Sequence, residues 1–302
     1  MYGAVFLTGA TGFVGQAVLD KLISTGCNDV KVLVRNPGKL KVDSKYVTII
    51  EGDILKVNTY EKCLEKCLNG IDTVIHLIGI IRESYADGVT FDNLHYAATK
   101  NLVDISLKAG VQKFIYISSN GARSDAVSGY HGTKYLAEQY LISSGLNYTI
   151  LRPSIIYGPE DSFINMLGRI MKKNPLFFSI GSGNYLLQPV SVYEVSEIIA
   201  KVVDNEQANC RVFMICGNKV LTYTELLKLI MKILNIRRVI VPLPLILLYP
   251  AIFLLGRFKG FPITKDQLQM LIEGNICNDR AVFDMFGVES RDIEDTLKKY
   301  LC

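Results

Sequence analysis

The chain has 302 residues, 49% of them hydrophobic, and a net charge of +4 from 33 basic and 29 acidic residues spread along it. Such a length buries a large core, as one big α/β unit or a unit with a smaller lobe, and charges without a basic block or aromatic-basic interleaving argue against a nucleic-acid surface. Seven cysteines, an odd number without close pairing, fit a reducing compartment better than a disulfide framework.

The apolar run Ala4 to Leu7 reads as a first strand. It starts so near Met1 that no signal or transit peptide fits before it, which predicts an intracellular, cytoplasmic protein. Thr8-Gly9-Ala10-Thr11-Gly12-Phe13-Val14-Gly15 follows, and from Phe13 to Ile23 apolar residues recur at helical spacing. A strand turning through glycines into a helix N-terminus is a phosphate cradle: glycine admits positive φ and close approach, and the free N–H groups of the first turn face an anion. The spacing is Gly-x-x-Gly-x-x-Gly, not the commonest dinucleotide fingerprint, and its place at the start of a βαβ pattern separates it from an ordinary turn.

Strands are predicted next at Val30–Val34 and Val47–Glu51, then a helix at Tyr60–Leu68, a strand at Thr73–Leu77 and a long helix at Phe91–Ala109. In the Tyr60–Leu68 helix, Cys63 and Cys67 lie one turn apart without other ligands and read as buried thiols, not a metal site. A strand at Lys113–Ile117, a helix at Tyr130–Ser143 and a strand at Tyr148–Leu151 complete the alternation. This rhythm implies an α/β, doubly wound Rossmann-type parallel sheet, with ligands beyond the carboxyl ends of the strands. The expected organisation is a nucleotide-binding domain over 1–155 and a smaller substrate or partner lobe over 156–302, some of whose segments return to the main sheet. Ser191-x-x-Glu194 and Thr222-x-x-Glu225 are capping boxes that open helices to about Val203 and Leu234, and Phe213–Ile215 reads as one more strand.

Val239 to Gly256 has no charged residue and contains Pro242, Pro244 and Pro250. Eighteen apolar residues reach the lower limit for a membrane span, but three prolines oppose one continuous helix. The favoured reading is a broken, buried helix pair. The alternative is a peripheral membrane or partner contact through 239–258, flanked by Arg237, Arg238, Arg257 and Lys259.

The chemistry lies near the end of the fifth strand, at Ser118-Ser119, and on the next helix, where Tyr130 and Lys134 project from one face four residues apart. A phenol titrates near ~10 in water, and a neighbouring ammonium favours its phenolate, bringing Tyr130 towards general acid–base use. A Tyr-x-x-x-Lys pair on a helix is by default a solvated surface pair; here it follows the strand expected to flank a cofactor.

The glycine loop, Ser119/Tyr130/Lys134, Gly52-Asp53-Ile54 and His76-Leu77-Ile78-Gly79 together resemble the short-chain dehydrogenase/reductase superfamily, in its extended and atypical branches. The resemblance covers at least the first half of the chain and implies a nicotinamide dinucleotide. It implies that Gly9, Thr11, Gly12, Phe13, Val14 and Gly15 cradle the pyrophosphate, that Asp53 and Ile54 border the adenine, and that Leu77, Ile78 and Gly79 line the adenosine ribose side. It further implies that Pro153 and Ile155 flank the nicotinamide, that Tyr130 moves the proton, that Lys134 also binds the nicotinamide ribose, and that Ser119 orients the substrate.

The second strand ends in Val34-Arg35-Asn36, without the carboxylate that binds a ribose 2′-hydroxyl in NAD sites. Arg35 suits a 2′-phosphate, with Asn36 or Lys39 as helpers, so NADP(H) is favoured over NAD(H); otherwise Arg35 is an ordinary solvated arginine. Two departures stand out. Ser119 and Tyr130 are only eleven apart, shorter than in most extended-branch enzymes, and His95 stands where many relatives carry asparagine. His95 is read as a contact to the active-site water network or a hydrogen-bonded core histidine, and His131 as pointing away from the site.

His76-Leu-Ile-Gly-Ile-Ile-Arg-Glu83, Gln188-Pro-Val-Ser-Val192 and Pro262–Leu271 with Gly274-Asn275 resemble the atypical group containing the nucleotide-binding accessory subunit of respiratory complex I, whose NADPH is regarded as structural. Two functions are therefore expected to compete. One is an NADP(H)-dependent oxidoreductase, or an epimerase or dehydratase, acting on a lipophilic carbonyl or alcohol. The other is a non-catalytic NADPH-binding accessory or sensing protein.

Overall fold

The computed structural model describes residues 2–42, 45–56, 64–256, 261–277 and 279–301, apart from the side chain of residue 255. Cys63 and most of the start of the predicted Tyr60–Leu68 helix lie outside the described residues; 64–68 are helical, and Cys67 is half-buried.

The elements in chain order are β1 (Val5–Thr8), α1 (Phe13–Ser24), β2 (Val30–Val34), β3 (Val47–Glu51), α2 (64–68), β4 (Thr73–His76), α3 (Ala98–Lys108), β5 (Lys113–Ile117), α4 (Gly129–Ser143) and β6 (Tyr148–Pro153). The second half follows with β7 (Ile156–Tyr157), α5 (Phe163–Lys173), β8 (Leu176–Ile180), β9 (Leu186–Leu187), β10 (Val190–Ser191), α6 (Val192–Val203), β11 (Arg211–Ile215) and β12 (Leu221–Thr222). It ends with α7 (Tyr223–Ile233), β13 (Val239–Leu243), α8 (Leu245–Leu255), α9 (Lys265–Ile272), α10 (Ala281–Phe286) and α11 (Ile293–Lys298).

Seven parallel strands form the central sheet in the order β3-β2-β1-β4-β5-β6-β11. Near-continuous apolar strands such as Val5–Thr8 and Lys113–Ile117, buried throughout, are what a parallel sheet covered on both faces requires. One face is covered by α1, α6 and α10 through Val18, Leu22, Val195, Ile199 and Phe283. The other is covered by α2, α3 and α4 through Leu68, Leu102, Ala137 and Leu141. The order reverses between β1 and β4, and there the crevice at the strand carboxyl ends opens. A separate core of α5, α7, β8 and α11 gathers Ile164, Phe177, Leu227, Ile230 and Leu297.

Both predicted capping boxes form: Ser191 with Glu194 opens α6, and Thr222 with Glu225 opens α7. Thr264 with Gln267 adds a third at α9. Three expectations change. The long helix from Phe91 begins with a π turn, Asp92–Ala97, before α3. The 239–256 stretch is not a buried helix pair: Pro244 separates strand β13, paired with β8, from the helix α8, of whose described side chains Leu248 and Ile252 alone are fully buried while Ile246, Leu247, Tyr249, Phe253 and Leu254 are exposed. The scattered cysteine spacing predicted no cross-link, whereas Cys216 and Cys277 form a disulfide across 61 residues. Gln188 explains the pairing: its amide accepts from Cys277 N–H at 2.9 Å and donates to the Gly217 carbonyl at 2.7 Å, drawing both segments together.

Candidate functional site

The glycine loop lies between β1 and α1 at the sheet's switch point. Gly9 has φ +81°, and a β-carbon there would sit 2.9 Å from the Leu77 carbonyl carbon. At Gly15 a β-carbon would lie 2.0 Å from the Gly9 oxygen, so only glycine lets the first turn of α1 press against the loop. The helix starts at Gly12 with no side-chain cap and no acidic residue in its first turn, which leaves its N-terminal N–H groups available to an anion. This cradle fits a pyrophosphate. Thr11 is exposed at its rim, Val14 packs on the α1-side core, and Phe13 reaches across to Gly158.

Arg35 and Asn36 are exposed just past the tip of β2. Asn36 is partly committed, since its side-chain oxygen accepts the Gly38 N–H at 3.0 Å to cap a short turn. Asp53 follows β3 and accepts the Leu55 N–H at 3.0 Å, while the buried Ile54 accepts at its carbonyl from Asn101. Leu77, Ile78 and Gly79 leave β4 beside the loop, and a β-carbon at Gly79 would be 3.3 Å from the Lys134 nitrogen. Pro153 ends β6 and accepts the Asn120 N–H at 2.9 Å; Ile155 accepts that of Val190 at 2.9 Å. The predicted residues thus follow the carboxyl ends of neighbouring parallel strands, from the tip of β2 to the end of β6.

Ser119, Tyr130 and Lys134 do come together. The Ser119 hydroxyl lies close enough to the Tyr130 phenol to act on its titration, and Tyr130 packs edge-on to His95 at 5.1 Å and Phe91 at 5.8 Å. Lys134 is buried; its ammonium donates to the Ile117 carbonyl at 2.8 Å and lies 4.8 Å above the Tyr116 ring. Burial lowers the Lys134 pKa to about 7, opposed by the Glu138 carboxylate. Burial likewise raises the Tyr130 phenol, and the neighbouring Ser119 hydroxyl only partly offsets it. This corrects the expectation that Lys134 draws Tyr130 towards its phenolate: the lysine is satisfied elsewhere, and Tyr130 stays protonated at neutral pH. Such a phenol is set to donate a proton to an oxygen held by Ser119.

His95 is the hydrogen-bonded core histidine of the two alternatives, and it packs against Tyr130. It is fully buried, lies within the π turn, and contacts Thr133 Oγ1 at 3.0 Å and the Ile80 backbone at 3.1 Å. Thr133 donates to the Gly129 carbonyl, and His95 Nε2 lies 3.1 Å from both the N–H and the carbonyl of Ile80, so a neutral ring bonds Thr133 and Ile80 whichever nitrogen carries the proton. Burial and the Lys134 charge hold His95 well below its ordinary pKa, consistent with this neutral ring. The π turn, a common device at functional sites, aims it at the Tyr130 ring. His131 points to Glu273, 3.7 Å away, and to Gly121, although its ring edge still meets Tyr130 at 5.3 Å.

Sequence reasoning missed three residues at the site, all recruited over long sequence distances. Asn120 donates to the Asn275 side chain at 2.9 Å and the Ile276 carbonyl at 2.8 Å. Asp266 accepts the Gly129 N–H at 2.7 Å, beside Tyr130. Arg82 donates to the Phe261 carbonyl at 2.7 Å and the Gly256 carbonyl at 3.3 Å. Arg82 and Asp266 lie in segments that carry the subgroup resemblance, but neither spacing nor residue type assigns them these partners.

The profile of an NAD(P)H-binding family matches residues 9–177. The chain is 26% identical over 300 residues to the mitochondrial NADH-ubiquinone oxidoreductase 40 kDa subunit of Neurospora crassa, covering 97% of this chain and 77% of that protein. It is 25% identical over 201 residues to a ceramide reductase of Caulobacter vibrioides, covering 67% of this chain and 60% of that one. Among solved structures, MoeE5 in complex with UDP-glucuronic acid and NAD superposes with a TM-score of 0.78 at 22% identity, over 99% of this chain and 98% of the other.

Proposed function

The chain belongs to the NAD(P)H-binding family, and we propose that it is an NADP(H)-dependent oxidoreductase that reduces a lipophilic carbonyl or oxidises the corresponding alcohol. The observation that carries this reading is the juxtaposition of the Tyr130 phenol and the Ser119 hydroxyl with a buried Lys134 beside Gly79, next to the glycine cradle. In the proposed reduction, Ser119 holds the substrate oxygen and Tyr130 passes its proton to that oxygen. Lys134 binds ribose hydroxyls of the nucleotide. The nicotinamide, when bound, supplies the hydride. Gly9, Thr11, Gly12, Phe13, Val14 and Gly15 hold the pyrophosphate, Asp53 and Ile54 the adenine, and Leu77, Ile78 and Gly79 the ribose. Pro153 and Ile155 sit beside the nicotinamide, and Arg35, with Asn36, holds the 2′-phosphate that distinguishes NADP(H) from NAD(H).

Residues 156–302, apart from β11, α6 and α10, form the substrate lobe in this reading, and the setting is the cytoplasm. The ceramide reductase, which by its name acts on a lipid, supports the lipophilic substrate class.

A second reading has its own observation: the Lys134 ammonium is already satisfied by Ile117 and Tyr116, an arrangement that suits a nucleotide held without turnover. The relative from the NADH-ubiquinone oxidoreductase supports such an accessory or sensing role. One experiment separates the two. The purified protein is assayed for bound reduced nicotinamide by absorbance and mass spectrometry, then mixed with quinones, ketones and aldehydes. Oxidation by a panel member, abolished in Tyr130→Phe with cofactor affinity unchanged, supports the enzyme; NADPH that stays bound and reduced supports the accessory role.

A further inference from the structure

We propose that the outer face of α8, with the adjoining edge of β8 and β13, docks on the surface of an anionic lipid bilayer. Leu248 and Ile252 of this helix are buried against Leu268, with Leu245 packed at the edge of the same cluster. The other side presents Ile246, Leu247, Tyr249, Pro250, Phe253 and Leu254 to solvent, with Ile246 at 79%, Phe253 at 81% and Leu254 at 68% exposure. Positions 246, 250, 253 and 254 recur at helical spacing, so these side chains form one continuous face. A helix apolar on both sides needs protein on one and a non-aqueous phase on the other. The sheet leading into it continues the patch, with exposed Leu176 paired in register with Val239, and exposed Phe178 with Val241.

The electrostatics select the occupant. Between Glu225 and Asp266 the sequence has no acidic residue but seven basic ones: Lys228, Lys232, Arg237, Arg238, Arg257, Lys259 and Lys265. Lys232 is engaged with Glu294, and Arg257 and Lys259 lie outside the described residues. Arg238 donates to the carbonyls of Met171 at 2.7 Å and Lys172 at 3.5 Å, which gathers Lys172, Lys173, Arg237 and Arg238 at the start of the apolar β8/β13 pair. Bulky apolar side chains bordered by clustered cations match a negatively charged bilayer surface, where each lysine or arginine near the headgroups contributes roughly 1 kcal/mol. The eleven residues of α8 span about 16 Å, half the ~30 Å hydrocarbon thickness, so the helix lies in the interface instead of crossing it. Among the described residues no helix is long and apolar enough to cross a membrane.

The docked face adjoins the site. Arg82, three residues past Gly79, holds the carbonyls of Gly256 and Phe261 at the end of α8, and Asp266 binds the N–H of Gly129 next to Tyr130. A lipid-dissolved substrate would therefore meet the crevice from the membrane side; this last step rests on the proposed oxidoreductase, whereas the docking does not.

The test is vesicle flotation of the full chain with NADPH added, using phosphatidylcholine vesicles with and without phosphatidylglycerol, for the wild type and the double variant Phe253→Glu/Leu254→Glu. NADPH affinity and thermal unfolding are read on the same samples, and because both side chains are exposed the variant is expected to match the wild type in both. The wild type should float with anionic vesicles, less with neutral ones and less as salt rises, and the variant should lose at least about tenfold of that binding. A wild type that remains unbound, or a variant that floats equally, overturns the proposal. So does a wild-type dimer in light scattering that the variant dissolves, since the face would then belong to a second copy. If the variant unfolds, Ile246→Ser/Phe253→Ser replaces it with the same outcomes. NADPH affinity is reported separately, so failure of docking is not mistaken for failure of the cofactor site.

Discussion

The ammonium of Lys134 donates to the carbonyl of Ile117 at 2.8 Å, at the end of the strand that leads to Ser119. Burial of this lysine has a measurable consequence. Its folded pKa is about 7 against 10.5, so between these values the unfolded chain binds more protons than the folded one. The sign of this linkage is that stability rises with pH across that window, and the cost of the buried charge is greatest below pH 7. Lys134→Met removes the dependence. The difference in unfolding free energy between wild type and variant, measured in urea at the two ends of the window, should change by on the order of 3 kcal/mol in favour of the wild type at the alkaline end. An unchanged difference would mean that the lysine titrates normally in the fold.

Gly15 is the tightest point of the cradle. In Gly15→Ala the new β-carbon meets the Gly9 oxygen, and the helix must back away from the loop. The expected cost is about 1–3 kcal/mol of stability, together with a loss of NADPH affinity of at least about tenfold. Gly26, which has open space where a β-carbon would go but a φ of +93°, is the control: Gly26→Ala should strain the backbone yet leave nucleotide affinity intact. Thermal unfolding and fluorescence titration with NADPH distinguish the two variants.

Arg35 tests the choice of dinucleotide. If it grips a 2′-phosphate, Arg35→Ser should lose about 1.5–3 kcal/mol of NADPH binding, which is roughly tenfold or more, and keep its NADH affinity. Equal losses for both cofactors in calorimetric titrations would return Arg35 to the role of a solvated surface residue.

Glu138 lies on α4 one turn after Lys134, is fully buried, and forms a two-pronged ion pair with Arg152 on β6. Glu138→Gln leaves the partly buried guanidinium without its counter-charge, and should destabilise the fold by about 3 kcal/mol. The same change withdraws the carboxylate that opposes the fall in the Lys134 pKa, so Lys134 should titrate still lower in this variant. Chemical denaturation reads the first effect. The second appears as an acid-ward shift of the lysine signal in heteronuclear NMR.

Much of the fold was legible because it is written in short-range terms. Val30–Val34 and Lys113–Ile117 coincide with the predicted strands, since a strand buried on both faces must be apolar throughout, and the edge strand Val47–Glu51 coincides as well through its β-branched run. The Ser191/Glu194 and Thr222/Glu225 boxes located two helix starts to the residue, because capping is settled within four positions. Gly9 and Gly15 announced the cradle for a similar reason: their backbone demands exclude nearly every other residue.

What the sequence by itself determined was therefore the alternation of strands and helices, the glycine cradle, and the spacing that sets Ser119, Tyr130 and Lys134 at one strand end. Tertiary structure decided what those groups are chemically. Lys134 loses proton affinity and the Tyr130 phenol retains its proton because both are desolvated, a property of neighbours that no spacing encodes. It also decided that Gln188 joins Cys216 to Cys277, that Asp266 caps the helix of Tyr130, and that the apolar stretch around Phe253 faces outward. A sequence shows which side chains prefer to leave water. Whether enough partners remain to cover them is settled only when the whole chain has packed.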